Sequence, residues 1–104
     1  MSDLNSITIS GRLTRDPELR FTNNGDGILD FSIASSEKYK DSERTIFIDC
    51  AIFGKRAEKL SEFLSKGKQV AVTGKLRQDF WETDGQKRNK ISLLVEELLL
   101  PPKV

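Results

Sequence analysis

Residues Thr45–Leu76 read TIFIDCAIFGKRAEKLSEFLSKGKQVAVTGKL. The stretch opens on period two. Ile46, Ile48, Cys50 and Ile52 fall on one side, and Thr45, Phe47, Asp49, Ala51 and Phe53 on the other. Apart from Asp49, Ile46–Phe53 is apolar on both faces, as in a strand with two jobs or one buried on both sides. The period then changes. In Lys55–Lys66, Ala57, Leu60 and Leu64 recur at helical spacing with Phe63 beside them, and Gly67 stands where a C-terminal cap belongs. Alternation returns with Val70, Val72, Gly74 and Leu76 opposite Ala71, Thr73, Lys75 and Arg77. The reading is strand, short helix, strand.

Working outward, the same alternation appears upstream in Ile7, Ile9, Gly11 and Leu13, and again in Leu29, Phe31 and Ile33. Downstream it appears in Ile91, Leu93 and Val95. Each pattern predicts a strand with one buried face. Asp16-Pro17 breaks the first strand before Leu19–Phe21 resumes it. Asn23-Asn24-Gly25-Asp26-Gly27 and Asp84-Gly85 supply hairpin-turn residues. Glu37–Arg44 is polar and without apolar periodicity, which predicts a longer loop. Pro101-Pro102 ends the last strand, and Leu98-Leu99-Leu100 before it reads either as strand or as a docking segment. Phe31 and Phe63 are assigned to the core.

Five strands with one short α-helix between strands 3 and 4 is the element order of a Greek-key OB-fold barrel, an all-β class. Gly11 and Gly74 inside strands suit the bends of a small barrel. An SH3-like barrel, the nearest rival, does not expect a helix there. A length of 104 residues predicts one domain spanning 1–104.

Composition narrows the function. With no histidine and one cysteine, the usual general base, the usual zinc ligand and an internal disulfide are all missing. Gly25-Asp26-Gly27 lacks the lysine and the helix of a phosphate-binding loop. No catalytic residue, metal ligand or cofactor is expected. The longest apolar run, Cys50–Phe53, is far too short to span a membrane, and no signal peptide is visible, so the expected location is cytoplasmic.

The net charge is +1, but it is unevenly distributed. Lys66–Lys90 holds seven cations against three carboxylates, whereas residues 1–30 are net acidic. On the outer rows of the alternating strands stand Phe47 and Phe53, and Lys75, Arg77 and Trp81. Tyr39 lies between Lys38 and Lys40. Aromatics interleaved with cations suit single-stranded nucleic acid, which offers flat bases to stack and phosphates to neutralise. A plainer reading stays open for each. Phe47 and Phe53 fit a core covered by a helix or a subunit partner. Trp81 fits a barrel cap or an interface, Tyr39 an isolated surface tyrosine, and Lys87, Arg88 and Lys90 a solvated hairpin tip. Cys50 reads as a small buried hydrophobe.

Gly11-Arg12-Leu13-Thr14-Arg15-Asp16-Pro17-Glu18-Leu19-Arg20 resembles the opening of the bacterial and phage single-stranded DNA-binding protein family. Asn24-Gly25, Phe31–Ser36, Phe53-Gly54-Lys55 with Ala57-Glu58, and Lys66–Arg77 are similar to its later motifs. The resemblance implies an OB-fold that binds single-stranded DNA with little sequence preference during replication, recombination or repair. It also implies a homo-oligomer, usually a tetramer, with a dimer as the alternative. It assigns base stacking to Tyr39, Phe47, Phe53 and Trp81. The cations expected along the phosphates are Arg12, Lys38, Lys40, Lys55, Lys75, Arg77, Lys87 and Arg88, of which Lys55 and Arg77 match the family best. Three departures stand out. Ser6 and Phe80 replace residues that are often basic, and the sequence stops at Pro101-Pro102-Lys103-Val104 without an acidic tip. Tail-mediated replication partners are therefore not expected. A second reading is an OB-fold primosome-type accessory protein acting mainly through protein contacts.

Overall fold

A computed structural model describes residues 2–101. Its elements are β1 (Ile7–Leu13), β2 (Glu18–Phe21), β3 (Gly27–Tyr39), β4 (Ser42–Phe53), α1 (Lys55–Ser61), β5 (Gln69–Thr83) and β6 (Gln86–Leu99). β1 and β2 lie end to end along β3, pairing Leu13 with Ile33 and Leu19 with Leu29, so they act as one strand interrupted at Asp16-Pro17. Asp16 then has a structural task, its Oδ1 accepting a hydrogen bond from the Lys66 backbone at 2.8 Å. Strand order β1-β5-β6-β4-β3, with β1 pairing back to β3, closes a five-stranded OB-fold barrel. The single parallel pairing among the described residues joins β4 to β6, Cys50 opposite Leu93.

The inward rows meet in one core. Leu13, Leu29, Phe31, Ile33, Cys50, Ile52, Val70, Val72, Leu93 and Val95 are all buried. Ala57 of α1 and Leu64 beyond it pack against the same cluster. Two glycines stand where strands approach closely. A Cβ at Gly11 would collide with the Ala34 carbonyl, and one at Gly74 with the Leu94 carbonyl. Near Gly74 the β5–β6 register shifts, Thr73 facing Glu97 but Gly74 facing Val95, so Glu96 is the extra residue of a bulge. Arg56 of α1 donates to the carbonyl of Glu96, at 2.5 Å, and so partners a group within the disrupted ladder. Inward parity on β6 passes from Val95 to Leu98, which packs against the core.

Several expectations are corrected. Glu37–Arg44 is not a long loop. β3 and β4 run on as a hairpin, Glu37 opposite Arg44 and Tyr39 opposite Ser42, leaving only Lys40 and Asp41 as the turn. The backbone ladder satisfies its own polar groups, so an apolar face is not required for pairing. β5 and β6 likewise run out to Asp84-Gly85, both at positive φ as a two-residue hairpin turn demands. These two arms outrun the barrel, so Ile46, Leu76 and Ile91 keep their inward parity yet stay exposed. The helix ends at Ser61 rather than Lys66, with Glu62 as its C-cap. Gly67 instead bonds through its N–H to the Leu13 carbonyl at 2.8 Å. Phe63, past the helix end, is half exposed and not a core residue. Leu98 and Leu99 belong to β6, and Pro102 to Val104 lie outside the described residues. Among the described residues no helix is long and apolar enough to cross a membrane.

Candidate nucleic-acid interface

The pairing registers define the outward face. On β4 the outward row is Thr45, Phe47, Asp49, Ala51 and Phe53, because Cys50 and Ile52 are buried. Register carries that face to Ala34 and Ser32 of β3 and on to Arg12 of β1. On the other side Ala51 lies beside Leu94 of β6, so Ser92, Lys90 and Arg88 share the face. Arg77 opposite Ser92, and Trp81 opposite Arg88, bring in β5. Phe47, Phe53, Trp81, Lys75, Arg77 and Arg88 therefore share one continuous sheet surface, and Arg12 extends it. Lys38, opposite Glu43, has the same parity on the β3–β4 arm. Lys55 begins α1, two residues after Phe53.

Exposure on this face does not follow hydrophobicity. Phe47 is 70% exposed and Trp81 46%, values a core residue of that size would not show. Phe53 is half-buried, and the Arg77 guanidinium lies over its ring, 5.3 Å from the centroid. This cation–π contact is worth about 0.5–1 kcal/mol where water has access. It holds the Arg77 cation beside an aromatic on the outward face. Small residues make the floor between these side chains: Ser32, Ala51 and Ser92 face outward yet are buried beneath their neighbours.

Three expected site residues, Tyr39, Lys40 and Lys87, stand apart. Tyr39 has the opposite parity to Phe47 on the β3–β4 arm and lines a hollow with Glu37, Ser42 and Arg44. Lys40 lies over its ring at 5.5 Å. Lys87 pairs with Glu82, on the other face of the β5–β6 arm from Trp81. Phe80, 73% exposed, is on that other face too. Arg12 is exposed and donates to the Gly67 carbonyl at 3.2 Å, which fixes its direction at the edge of the surface.

A feature the pattern did not single out lies between the aromatics. A groove of about 270 Å³ is lined by Arg15, Arg20, Arg77 and Lys90, with Glu18, Asp30, Asp49 and Asp79 beside them. Lys90 Nζ is 3.1 Å from Asp49 Oδ2, Arg77 Nε 3.4 Å from Asp79 Oδ2, and Arg20 Nε 2.6 Å from Asp30 Oδ2. The hydrogen bond from Arg20 to Asp30, and then the charge of Asp30, raise the pKa of Arg20 further. The Nε atom of Arg77 is buried, and its carboxylate contact is an ion pair without hydrogen-bond geometry. Alternation alone placed Asp49 on an outer row; nothing in the spacing marked Arg15, Arg20 or the pairing of Asp79. Beneath the groove, burial and then the Asp49 charge push the Cys50 thiol up to about 12, so it stays protonated and inert at neutral pH.

Residues 4–101 match the family described as the single-strand binding protein family. The chain belongs to that family. It is 45% identical over 104 residues to a single-stranded DNA-binding protein of Borreliella burgdorferi, covering 94% of this chain and 70% of that one. It is 42% identical to the Treponema pallidum protein of the same name, covering 89% of this chain and 55% of the relative. For the Mycobacterium leprae protein the identity is 41%, with 89% and 60% covered. Several of these relatives are thus considerably longer than the matched part. Among solved structures, a Plasmodium falciparum SSB in complex with ssDNA superimposes with a TM-score of 0.87 over 98% of both chains, at 24% identity. That likeness confirms the barrel architecture.

Proposed function

We propose that this chain binds single-stranded DNA with little sequence preference, as a non-catalytic coat during replication, recombination or repair. The observation that carries the reading is the shared outward surface of Phe47, Phe53 and Trp81 with Lys75, Arg77 and Arg88, formed where the β5–β6 hairpin meets β4. Exposed aromatic faces stack any base, since every base has a π-face, and nearby cations neutralise phosphate without reading sequence. Family membership points the same way, as do the names of the relatives, each a single-stranded DNA-binding protein. Nothing in the surface favours the accessory-protein alternative. The reading includes a single binding unit over 1–104, self-association into a tetramer, and a cytoplasmic site of action. Tyr39 and Lys40 would extend the path around the tip of the β3–β4 arm.

The test uses the single tryptophan. Titration with oligo(dT) should quench Trp81 fluorescence, and log affinity should fall linearly with log salt. No quenching, or binding indifferent to salt, refutes the reading. Light scattering with and without oligo(dT) tests the tetramer.

A further inference from the structure

The groove between the aromatics is balanced in charge, which is unexpected on a surface meant to hold a polyanion. Four side chains form an alternating series across three strands. Asp49 of β4 pairs with Lys90 of β6; Lys90 stands opposite Asp79 of β5; and Asp79 pairs with Arg77 two residues back on the same face. β4 and β5 run in opposite directions, so Phe47, two positions before Asp49, and Trp81, two after Asp79, lie on one side of the series and Phe53 on the other; a strand stacked from Phe53 to either of them crosses it. The ion-paired side chains are between 40% and 53% exposed. Pairs so exposed are weak, because water and salt screen them. They are strong enough to hold a lysine in place and weak enough for a phosphate to displace.

We infer that Asp49 and Asp79 are affinity-limiting residues: they occupy Lys90 and Arg77 as internal stand-ins for phosphate, so that bound DNA must compete for those cations and leaves readily. The inference rests on the proposed DNA-binding reading and adds a regulator within that site. Neither carboxylate touches the DNA usefully; each acts through the cation it holds. The design suits a coat that must cover DNA and then yield it to other enzymes, where slow release would be a fault.

The experiment is an oligo(dT) titration of Asp49→Asn, Lys90→Gln and the double variant across a salt series, with a thermal melt of each. One newly available cation adds about 0.7 to the salt slope on a single strand, equivalent to about fivefold in affinity at 0.1 M salt. Asp49→Asn should bind about fivefold tighter with that steeper slope. Lys90→Gln alone should weaken binding, because it removes the cation and leaves Asp49 facing the phosphates, and the double variant should return to about wild-type affinity without the gain. Asp49→Asn with unchanged or weaker binding and a native melt overturns the inference while leaving the DNA-binding reading intact. A double variant that binds about fivefold tighter than wild type also overturns it, since the gain would then not need the lysine. If no protein binds oligo(dT), wild type included, both readings fall together. Should Asp49→Asn not fold, Asp79→Asn gives the same readout through Arg77.

Discussion

Replacing Phe47 by alanine separates stacking from packing, because the two roles predict opposite pairs of effects. The ring is 70% exposed. Full burial of a phenylalanine is worth roughly 1.5–3 kcal/mol, so the third or so of that ring held by the protein contributes less than about 1 kcal/mol. Phe47→Ala should therefore leave the denaturation midpoint nearly unchanged. A stacked base is worth roughly 1–3 kcal/mol. At about 1.4 kcal/mol per factor of ten, affinity for oligo(dT) should fall about 5- to 150-fold. The assay is a Trp81 fluorescence titration paired with a urea melt, with light scattering to follow self-association. Phe31→Ala is the contrasting control. That ring is 1% exposed, its truncation should cost about 3–5 kcal/mol, and the fraction still folded should bind as wild type. The reasoning fails if Phe47→Ala binds within twofold of wild type. It fails equally if the variant loses more than about 2 kcal/mol of stability or changes its assembly mass, since Phe47 would then be a packing or interface residue.

Other expectations test the fold and its charges. Gly74→Ala places a methyl against the Leu94 carbonyl beside the bulge and should destabilise by about 1–3 kcal/mol in a urea melt; wild-type stability would show that the strands can part there at no cost. Arg77→Ala should weaken oligo(dT) binding and make the salt slope shallower by up to about 0.7, whereas Arg77→Lys should keep the slope but lose affinity, because an ammonium lacks the planar, multidentate guanidinium that Arg77 holds over Phe53. Cys50 sets a limit at alkaline pH. Its folded pKa is about 12 against an ordinary 9.0, so the unfolded chain releases its proton first. Stability should be unaffected below pH about 9 and fall as pH rises from there towards 12, and Cys50→Ala should flatten that decline in thermal melts over the same range.

The barrel was legible in the sequence wherever a strand had a second layer to face. Leu29, Phe31 and Ile33 alternate because one side of β3 meets the core, and Val70 and Val72 do so for β5. The same parity misleads at Ile46, Leu76 and Ile91, where the strands extend past the barrel and nothing covers the inward face. Glu37–Arg44 read as a loop because its side chains are charged, although hairpin pairing depends on backbone groups that a side-chain pattern does not display. Phe63 misled differently: it kept helical spacing with Leu60, but the helix stops at Ser61 and the ring turns to the surface. For the site, parity on two separate strands brought Phe47, Phe53, Lys75, Arg77 and Trp81 to one face. It could not show that Tyr39 takes the other face of its arm. Nor could it show that Asp49 holds Lys90 from another strand, since cross-strand partners depend on register.

The two arms divide the molecule into a part that folds and a part that reaches. The radius of gyration is 15.2 Å, against about 13 Å for a compact chain of this length, and the longest dimension is 44 Å. Each arm is anchored at its base by the barrel and held further out only by its own ladder. A ribbon of two strands is stiff along its length and compliant across it. Trp81, near the tip of one arm, and Tyr39, at the tip of the other, can therefore shift sideways to meet unevenly spaced bases while Phe31 and its neighbours stay packed. The indifference to sequence proposed for this surface would then be partly mechanical: a rigid reader must reject a base that is out of place, and a flexible one can follow it.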